Sequence, residues 1–272
     1  MTSPCEIHLF CSSQNRAEKI ASKILQSSKS LEQKYNFYNQ NSYLSQINQR
    51  KISQLDIQTK DLLRRAKLFY TKTDGIFDIT AGTLNSALKH DRVAKIEDEK
   101  EKLLPFVGAE HFKIQKNKIV FDNPYTLIDL GGFVKEFAVD MAVKLLKKEK
   151  ITSALVNFGG DIYALGAKPN QEPFIVGIKN PLNPKEYIKY VELSNQALTT
   201  SASYERNYKI EDRVYSHIIE KKGHLQEKII SASVISSSTV ESGVYSTALM
   251  IKPNLATNLQ KVLIDEQLNL LI

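Results

Sequence analysis

The chain has 272 residues, of which 42% are hydrophobic and 25% are charged, so it has enough apolar sequence for a large folded core. Its 37 basic and 30 acidic residues give a net charge of +7. The lysines are spread widely, and no aromatic-basic interleaving or base-reading motif accompanies them, which disfavours nucleic-acid binding. Mild attraction to anionic ligands is the most that this charge predicts.

The chain opens with a strand predicted over 5–10, and no basic-then-apolar leader precedes it. No apolar run approaches the ~18 residues of a membrane span. We therefore expect a soluble cytoplasmic protein, or a periplasmic one if a leader has been removed. Cys5 and Cys11 are evenly spaced, so both are predicted to face the core as reduced thiols. A disulfide within one extended strand would have to bridge too long a distance.

The first half of the chain predicts helices joined by polar segments. The spacing of apolar residues predicts an amphipathic helix over 17–35 and a second helix over 55–70, separated by a polar and aromatic stretch at 36–48. Thr73–Gly75 predicts a turn. The charged stretch 90–102 is interpreted as a loose surface segment.

The second half is richer in strands. Strands are predicted over 112–115 and 118–121, joined by a Lys-Asn turn. A helix over 137–146 and a strand over 151–156 follow, and then a strand-rich stretch ends in a closing helix over 244–250. Because helices and hairpins mix without regular βαβ alternation, the pattern favours an α+β fold with largely antiparallel sheets.

Two glycine-acid segments are the most informative feature of the sequence. The first, 128–135, reads Ile-Asp-Leu-Gly-Gly-Phe-Val-Lys, and the second, 156–161, reads Val-Asn-Phe-Gly-Gly-Asp. Adjacent glycines at a strand end leave N–H groups open to phosphate oxygens or another tightly held anion. With Lys135 and Asp161 beside them, these segments predict a phosphate-bearing ligand. Neither has the spacing of a dinucleotide-fold or Walker motif, so the usual nucleotide folds are not supported.

His217 is the leading titratable group, on an alternating strand predicted over 214–220. A histidine in a strand is more often structural. At a ligand-binding loop, a neutral imidazole could instead accept a proton from a hydroxyl near pH 7. The hydroxyl-rich segment 199–206 fits a ligand-binding role and a plain polar loop equally well. No Gly-x-Ser-x-Gly elbow occurs, which disfavours a hydrolase-type serine nucleophile.

Metal binding is predicted only through oxygen ligands, because no His/Cys cluster has zinc spacing. Carboxylates and a hydroxyl, together with loop carbonyls, would suit magnesium bound along with ligand phosphates. Scattered carboxylates alone do not establish such a site. The candidate side chains are Asp78, Asp129, Asp161, Glu241 and Thr247.

Eight segments in chain order resemble the ApbE family of flavin transferases, and together they extend over nearly the whole chain. Residues 74–80, Asp-Gly-Ile-Phe-Asp-Ile-Thr, are similar to the family's Asp-Gly-x-Phe-Asp-x-Thr signature. The two glycine segments match its Asp-Leu-Gly-Gly-x-x-Lys and Asn-x-Gly-Gly-Asp motifs. The other matching segments are 1–5, 38–48, 200–206, 216–218 and 246–248.

The resemblance implies an ApbE-like α+β fold in a single domain over 1–272, with room for two lobes and an elongated FAD cleft. It also implies FAD:protein FMN transferase activity. In this reaction the FMN half of FAD passes to a Thr or Ser hydroxyl of a target flavoprotein, and AMP leaves. Magnesium would offset charge on the pyrophosphate. The expected partners are thus FAD and the acceptor flavoprotein.

The resemblance also implies roles for individual residues. His217 would be the catalytic base that deprotonates the acceptor hydroxyl. Magnesium would be held at Val134, Glu241 and Thr247. The residues expected to hold FAD are Tyr38, Ser42, Asn48, Phe77, Asp78, Gly131, Gly132, Lys135, Gly159, Gly160, Asp161, Thr200 and Ser201.

Three positions depart from the family pattern. The family's metal-binding Asp falls at Gly243, which has no carboxylate, so we expect Glu241 to substitute if the preceding loop bends inward. Glu136 stands where a glycine normally follows the motif lysine. The segment after His217 is one residue shorter and lacks the usual proline. The alternatives to a transferase are a non-catalytic FAD-binding protein and an enzyme that hydrolyses FAD to FMN and AMP.

Overall fold

The structure is a computed structural model that describes residues 4–183, 185–203, 207–216 and 229–271. It contains two compact units. The first unit consists of 1–32, 133–202 and 226–272, and the second consists of 33–132 and 203–225.

Helices and strands alternate irregularly along the described residues. The helices are α1 (Gln14–Tyr35), α2 (Tyr43–Asn48), α3 (Ile57–Lys72), α4 (Val93–Leu103), α5 (Gly131–Lys148) and α6 (Thr239–Ile251). Short 3₁₀ segments occupy Ile79–Lys89, Leu104–Phe106 and Ala109–His111. The strands are β1 (Cys5–Leu9), β2 (Phe112–Gln115), β3 (Lys118–Phe121), β4 (Ala154–Phe158), β5 (Asp161–Leu165), β6 (Phe174–Lys179), β7 (Tyr187–Leu193), β8 (Gln196–Ala202), β9 (Asn207–Ile210), β10 (Arg213–Ser216), β11 (Ile229–Ser236), β12 (Gln260–Asp265) and β13 (Leu270–Leu271).

The first unit is built on a seven-stranded sheet in the order β1-β4-β5-β8-β11-β12-β13. Each neighbouring pair is antiparallel. The strand β11 is an interior strand of this sheet and is buried along most of its length, so both of its faces are covered. The β6–β7 ribbon packs its apolar side onto this sheet, where Val176 and Leu193 join the core around Leu198 and Ile264.

Helix α6 packs against β8 and β11, and its N-terminus is capped twice. The Ser238 hydroxyl accepts the N–H of Glu241 at 3.2 Å. The Asp140 carboxylate of α5 accepts the N–H groups of Thr239 at 2.7 Å and Val240 at 3.2 Å. A carboxylate at a helix N-terminus satisfies orphan donors and complements the helix dipole. These bonds tie α5 to the start of α6.

The second unit is stabilised by helix packing and by side chains that hydrogen-bond to main-chain groups. Asp56 caps α3 by accepting the N–H of Thr59 at 2.9 Å, and the helix then buries Leu62 and Leu63 completely. The Arg50 guanidinium donates to two carbonyls of the segment after β3 and stacks 3.7 Å from the Phe121 ring centroid. This one side chain therefore joins the end of α2 to the β2–β3 hairpin.

The hairpin at 112–121 and the helices beginning near residues 17 and 55 are confirmed, as is the α+β class. The prediction of a loose segment over 90–102 is wrong, because α4 covers most of it. This helix turns the fully buried Ile96 toward Ala87, and Lys102 forms an ion pair with Asp98 one turn earlier at 2.7 Å. A single buried residue in a charged segment gives no apolar periodicity from which the helix could be predicted.

The helix predictions were also wrong at two termini. Helix α5 begins at Gly131, inside the first glycine segment, rather than at 137. Helix α6 begins at Thr239 rather than at 244, and it does not close the fold, because β12 follows it. Thr239, Glu241, Ser242 and Gly243 occupy most of the first turns of α6 and interrupt its apolar period.

The predicted inward orientation of the two cysteines is also wrong. Cys5 lies on β1 but is exposed, and Cys11 comes after the strand has ended. No disulfide joins them. Among the helices of the described residues, none has the length and apolar character that crossing a membrane requires.

We expect Gly166→Ala to destabilise the first unit more than Gly160→Ala. Both glycines have positive φ, +64° and +94°, so alanine is strained at either position. A Cβ at 166 would also overlap the carbonyl oxygen of Thr152, whereas a Cβ at 160 meets nothing within 4 Å. The difference in unfolding free energy from urea denaturation should be about 1–3 kcal/mol. Equal losses would contradict this account of Gly166.

Candidate functional site

In the second unit, Asp78 is oriented by the residue two positions later. Its Oδ1 accepts the main-chain N–H of Thr80 at 2.8 Å and the Thr80 hydroxyl at 2.6 Å. The Thr80 hydroxyl oxygen in turn accepts the N–H of Gly108 at 2.7 Å. This chain of bonds starts the 3₁₀ segment and fixes the carboxylate. Phe77, beside it, is only 7% exposed and belongs to the core.

Asn48 binds the main chain immediately before the first glycine segment. Its Nδ2 donates to the carbonyl of Ile128 at 2.8 Å, and its Oδ1 accepts the Ile128 N–H at 2.9 Å. The side chain thus pairs with Ile128 as a neighbouring strand would. Ile128 is fully buried, so these bonds satisfy main-chain groups that water cannot reach. This contact gives Asn48 a positioning role besides the predicted one.

Asp129 organises the turn into α5. Its Oδ1 accepts the N–H of Gly131 at 2.8 Å, and its Oδ2 accepts the side-chain amide of Asn85 at 3.2 Å. Burial raises the pKa of the Asp129 carboxyl, although both hydrogen bonds act in the opposite direction. Gly82 permits this arrangement, because a Cβ there would lie 2.6 Å from the Cβ of Asp129.

The two glycine pairs have different structures. Gly131 and Gly132 are exposed and begin α5, so their N–H groups belong to a helix N-terminus rather than to a strand end. Gly159 and Gly160 form the two-residue turn of the β4–β5 hairpin, with φ of +59° and +94°. The N–H of Gly159 donates to the carbonyl of Pro4, and that of Gly160 donates to Asn157 Oδ1. The expectation that both loops expose amides for an anion therefore needs correction at the second loop.

The charged residues that flank the two glycine pairs meet in the first unit. The Lys135 ammonium lies 2.9 Å from Oδ2 of Asp161. Asp161 is only 1% exposed and opens β5, whereas Lys135 lies on the first turns of α5. The structure therefore brings together two side chains that the sequence placed in separate motifs.

Glu136 follows Lys135 and has a buried carboxylate with 6% exposure. Its Oε2 has no hydrogen-bond partner. Burial, with the negative charge of Asp161 as a second cause, raises the pKa of Glu136 to about 8. The carboxylate adjoins Gly243 of α6, where a Cβ would lie 2.6 Å from the Glu136 Cγ. A buried polar atom without a partner calls for a physical explanation, such as a bound ion or water.

Hydroxyl groups from β8, β11 and α6 form a cluster in the same unit. Ser201 Oγ lies 2.8 Å from the hydroxyl of Ser246 and 3.1 Å from that of Thr247. Thr200 Oγ1 lies 2.7 Å from Ser233 Oγ. The hydroxyls at 199–201 therefore lie on the strand β8, not on a loop that follows it. Among them, the Ser201 hydroxyl meets α6 at Ser246 and Thr247, and the Thr200 hydroxyl meets β11 at Ser233.

Glu241 does not lie beside Gly243 in the way the metal prediction required. Two residues along an α-helix correspond to a rotation of about 200°, so the two positions occupy nearly opposite faces of α6. The negative charge of Glu241 acts on Tyr245 one turn later, where burial is the larger cause of a raised pKa. The carboxylate that adjoins Gly243 comes from Glu136 instead.

The other predicted residues are dispersed. Tyr38 is 79% exposed and meets the Phe37 ring edge-on at 5.4 Å. Ser42 is buried and caps α2 by accepting the N–H of Ser45 at 3.0 Å. Val134 is buried in α5. His217 and residues 204–206 lie outside the described part of the chain.

The sequence did not predict three features of the site. They are the helix cap by Asp140, the hydroxyl contact of Ser246, and the contact between Glu136 and Gly243. Asp140 carries no recognisable cap signal, because the helix it caps is far away in the sequence. Ser246 lies in the Ser-Thr-Ala segment of α6 and could have been noted there. Within the described residues, no group of three His, Cys, Asp or Glu side chains lies close enough together to hold a metal ion.

Comparison with known sequences yields one family. The sequence model described as the ApbE family matches residues 1–265. A FAD:protein FMN transferase of Vibrio cholerae is 27% identical over 226 residues, which represent 79% of this chain and 67% of that protein. The corresponding protein of Salmonella typhimurium is 25% identical over 207 residues, covering 70% of this chain and 58% of the relative. The chain thus matches between 58% and 67% of the length of these curated relatives.

Solved structures with the same fold support this result. The crystal structure of the ApbE protein from Thermotoga maritima has a TM-score of 0.84 and 25% identity, covering 97% of this chain and 92% of that chain. The flavin transferase ApbE from Vibrio cholerae has a TM-score of 0.83, covering 98% of this chain and 91% of that chain. At 20% identity, the second likeness concerns the fold alone.

We expect Asn48→Ala to lower the unfolding free energy by about 1–3 kcal/mol, because it leaves the buried main-chain groups of Ile128 unsatisfied. Asn48→Asp should fall between wild type and alanine, since it can still accept the N–H of Ile128. Gln49→Ala, a change at the exposed neighbour, should stay within about 0.5 kcal/mol. Chemical denaturation measures all three. Unchanged stability of Asn48→Ala with weakened FAD binding would instead indicate a direct ligand contact.

Proposed function

Because the chain belongs to the ApbE family, we propose that it is an FAD:protein FMN transferase. It would move the FMN half of FAD to a Thr or Ser hydroxyl of an acceptor flavoprotein and release AMP. The observation that carries this proposal is the family match over residues 1–265. The fold shared with the Thermotoga maritima protein at a TM-score of 0.84 supports it.

The proposed reaction is a phosphoryl substitution. The acceptor oxygen forms a bond to the FMN phosphorus, and the bond from this phosphorus to the oxygen bridging to AMP breaks. The acceptor hydroxyl loses its proton, and AMP departs with the bridging oxygen. A hydroxyl is a weak nucleophile and the pyrophosphate is strongly anionic, so the enzyme must supply a base and positive charge.

We assign the base to His217. A neutral imidazole can accept a proton from a hydroxyl nucleophile near pH 7. The assignment rests on the Ser216-His217-Ile218 segment of the sequence. General-base catalysis of this kind typically contributes 10²–10⁴-fold in rate.

The first turn of α5 is our candidate for phosphate contact. Helix N-termini attract anions through unsatisfied N–H groups and the helix dipole. The Gly131 N–H already donates to Asp129, but Gly132 is exposed and a Cβ there would meet nothing within 4 Å, so a ligand could approach its main chain closely. Lys135, one turn later, supplies a positive charge that is already shared with Asp161.

Other residues would hold the remaining parts of FAD. Tyr38 offers an exposed ring for stacking on the flavin or adenine, whereas Phe77 is buried and would act through the core. Thr200 and Ser201 offer hydroxyls as donors. Magnesium, when bound, would offset negative charge on the pyrophosphate. Its protein ligands would be hard oxygens, and the carboxylate and hydroxyl groups around Gly243 are of that kind.

We expect the purified protein, mixed with FAD, magnesium and a Thr-containing acceptor domain, to add one FMN to the acceptor. Intact-protein mass spectrometry detects the addition. His217→Ala should slow the addition by roughly 10²–10⁴-fold with little change in FAD affinity. His8→Ala, at an exposed position on β1, is the matched control and should keep the wild-type rate.

Other outcomes separate the alternatives. Tight FAD binding with no modified acceptor, repeated with several acceptor domains, would point to a non-catalytic FAD-binding protein. Release of FMN and AMP without acceptor modification would point to hydrolysis. A His217→Ala variant that transfers FMN at the wild-type rate would remove His217 from the proposed mechanism but leave the transferase assignment intact.

A further inference from the structure

Glu136 and Gly243 occupy one continuous space between α5 and α6. A Cβ placed on Gly243 would lie 2.6 Å from Cγ of Glu136 and 3.1 Å from its Cδ and Oε1. No side chain fits at 243 while Glu136 keeps this position. The Glu136 carboxyl therefore stands where a residue at 243 would project its own side chain. Two positions at which the sequence departs from the family pattern are thus in contact.

The Glu136 carboxyl is compensated only in part, by the nearby charge of Lys135 and by a main-chain hydrogen bond. It is only 6% exposed, and its Oε2 has no hydrogen-bond partner. The neighbouring ammonium of Lys135 pairs with Asp161 at 2.9 Å, and Asp161 itself adds negative charge near Glu136. The buried Glu136 carboxyl, which adjoins Gly243, thus keeps one oxygen without a hydrogen-bond partner. A cation bound at that oxygen would satisfy it and stabilise the ionised carboxylate.

We propose that Glu136 is a ligand of a divalent cation, magnesium in the cell, and replaces the carboxylate that Gly243 cannot supply. The Thr247 hydroxyl is the neighbouring protein ligand. This inference rests on the proposed function, because the cation would be the one that accompanies the FAD pyrophosphate. It names a ligand on α5, whereas the sequence motif directs attention to α6.

The position of Thr247 supports this assignment. Thr247 follows Gly243 by four residues, so the two share a face of α6. Side chains on a helix lean toward its N-terminus, which directs the Thr247 hydroxyl toward the turn that contains Gly243. Ser201 lies 3.1 Å from this hydroxyl and restrains it. Glu241 lies about 200° around the helix from Gly243, so its carboxylate cannot bind a cation on the Gly243 face of α6.

The small number of protein ligands fits magnesium. Magnesium retains several waters and is usually held by one or two carboxylates together with substrate phosphates. A site of this kind needs no cluster of three acidic or histidine side chains, and the described residues contain none. Carboxylate and hydroxyl oxygens are hard donors, which suit magnesium and manganese rather than zinc or copper.

The test measures Mn²⁺ binding by electron paramagnetic resonance, with and without FAD and in the absence of any acceptor. Mn²⁺ prefers the same oxygen ligands and reports binding independently of turnover. We expect Glu136→Gln to weaken Mn²⁺ binding by about 10–100-fold, as loss of ligand-shell groups commonly does. Glu241→Gln is the matched control on α6 and should stay within about twofold of wild type. Thermal unfolding of each variant identifies any loss of fold.

A second variant keeps the proposal testable if Glu136→Gln is unstable. The exchange Glu136→Gly with Gly243→Asp removes the overlap and moves the carboxylate from α5 to α6. This double variant should bind Mn²⁺ within about tenfold of wild type, whereas Glu136→Gly alone should lose binding. Restoration by the exchange would show that one carboxylate between the two helices is sufficient.

Two results would overturn the inference. One is unchanged Mn²⁺ affinity in folded Glu136→Gln or Glu136→Gly, and the other is no Mn²⁺ binding to wild type with FAD present. The mass-spectrometric transfer assay separates this failure from failure of the proposed function. If wild type transfers FMN and the Mn²⁺ affinity does not change when residue 136 is substituted, only the role of Glu136 is refuted. Absence of both FAD binding and transfer in wild type sinks the transferase assignment.

Discussion

The hydrogen bonds from the N-terminus of α6 to the Asp140 carboxylate set the register of α5 against α6. The contact between Glu136 and Gly243 in the first unit depends on that register. With Asp140 accepting from Thr239 at 2.7 Å and from Val240 at 3.2 Å, the earlier turns of α5 must run beside the next turn of α6. Glu136 lies about one turn before Asp140, and Gly243 about one turn after Thr239. The cap therefore places the buried Glu136 carboxylate opposite Gly243, and glycine leaves room for it because it has no side chain.

The same helix connects the glycine segments to the sheet. Helix α5 begins with Gly131, carries Lys135 one turn later and reaches Asp161 at the start of β5 through a 2.9 Å ion pair. Asp161 follows directly on the hairpin turn at Gly159 and Gly160. The charges beside both motifs are therefore positioned by a helix and a strand rather than by loops.

Glycine serves three different physical purposes in this chain. At 159 and 160 it permits the positive φ of a two-residue hairpin, and its N–H groups are already used by the protein. At 82 and 243 it allows another side chain to approach the main chain, Asp129 in one unit and Glu136 in the other. At 131 and 132 it is exposed at the N-terminus of α5, where the Gly131 N–H already donates to Asp129. A Gly-Gly pair in a sequence therefore does not by itself identify an anion site.

The sequence alone determined the α+β class, the 112–121 hairpin and the family, because local periodicity and ordered motifs survive without knowledge of distant contacts. It also singled out Lys135 and Asp161, which the structure brings together, and Thr247, whose hydroxyl lies near that of Ser201. Only the tertiary structure decided that Glu136, rather than Glu241, adjoins Gly243, and that Asn48 pairs with the main chain of Ile128. Such partners are far apart in the sequence, and their proximity follows from helix packing and capping across the fold, which no local pattern encodes.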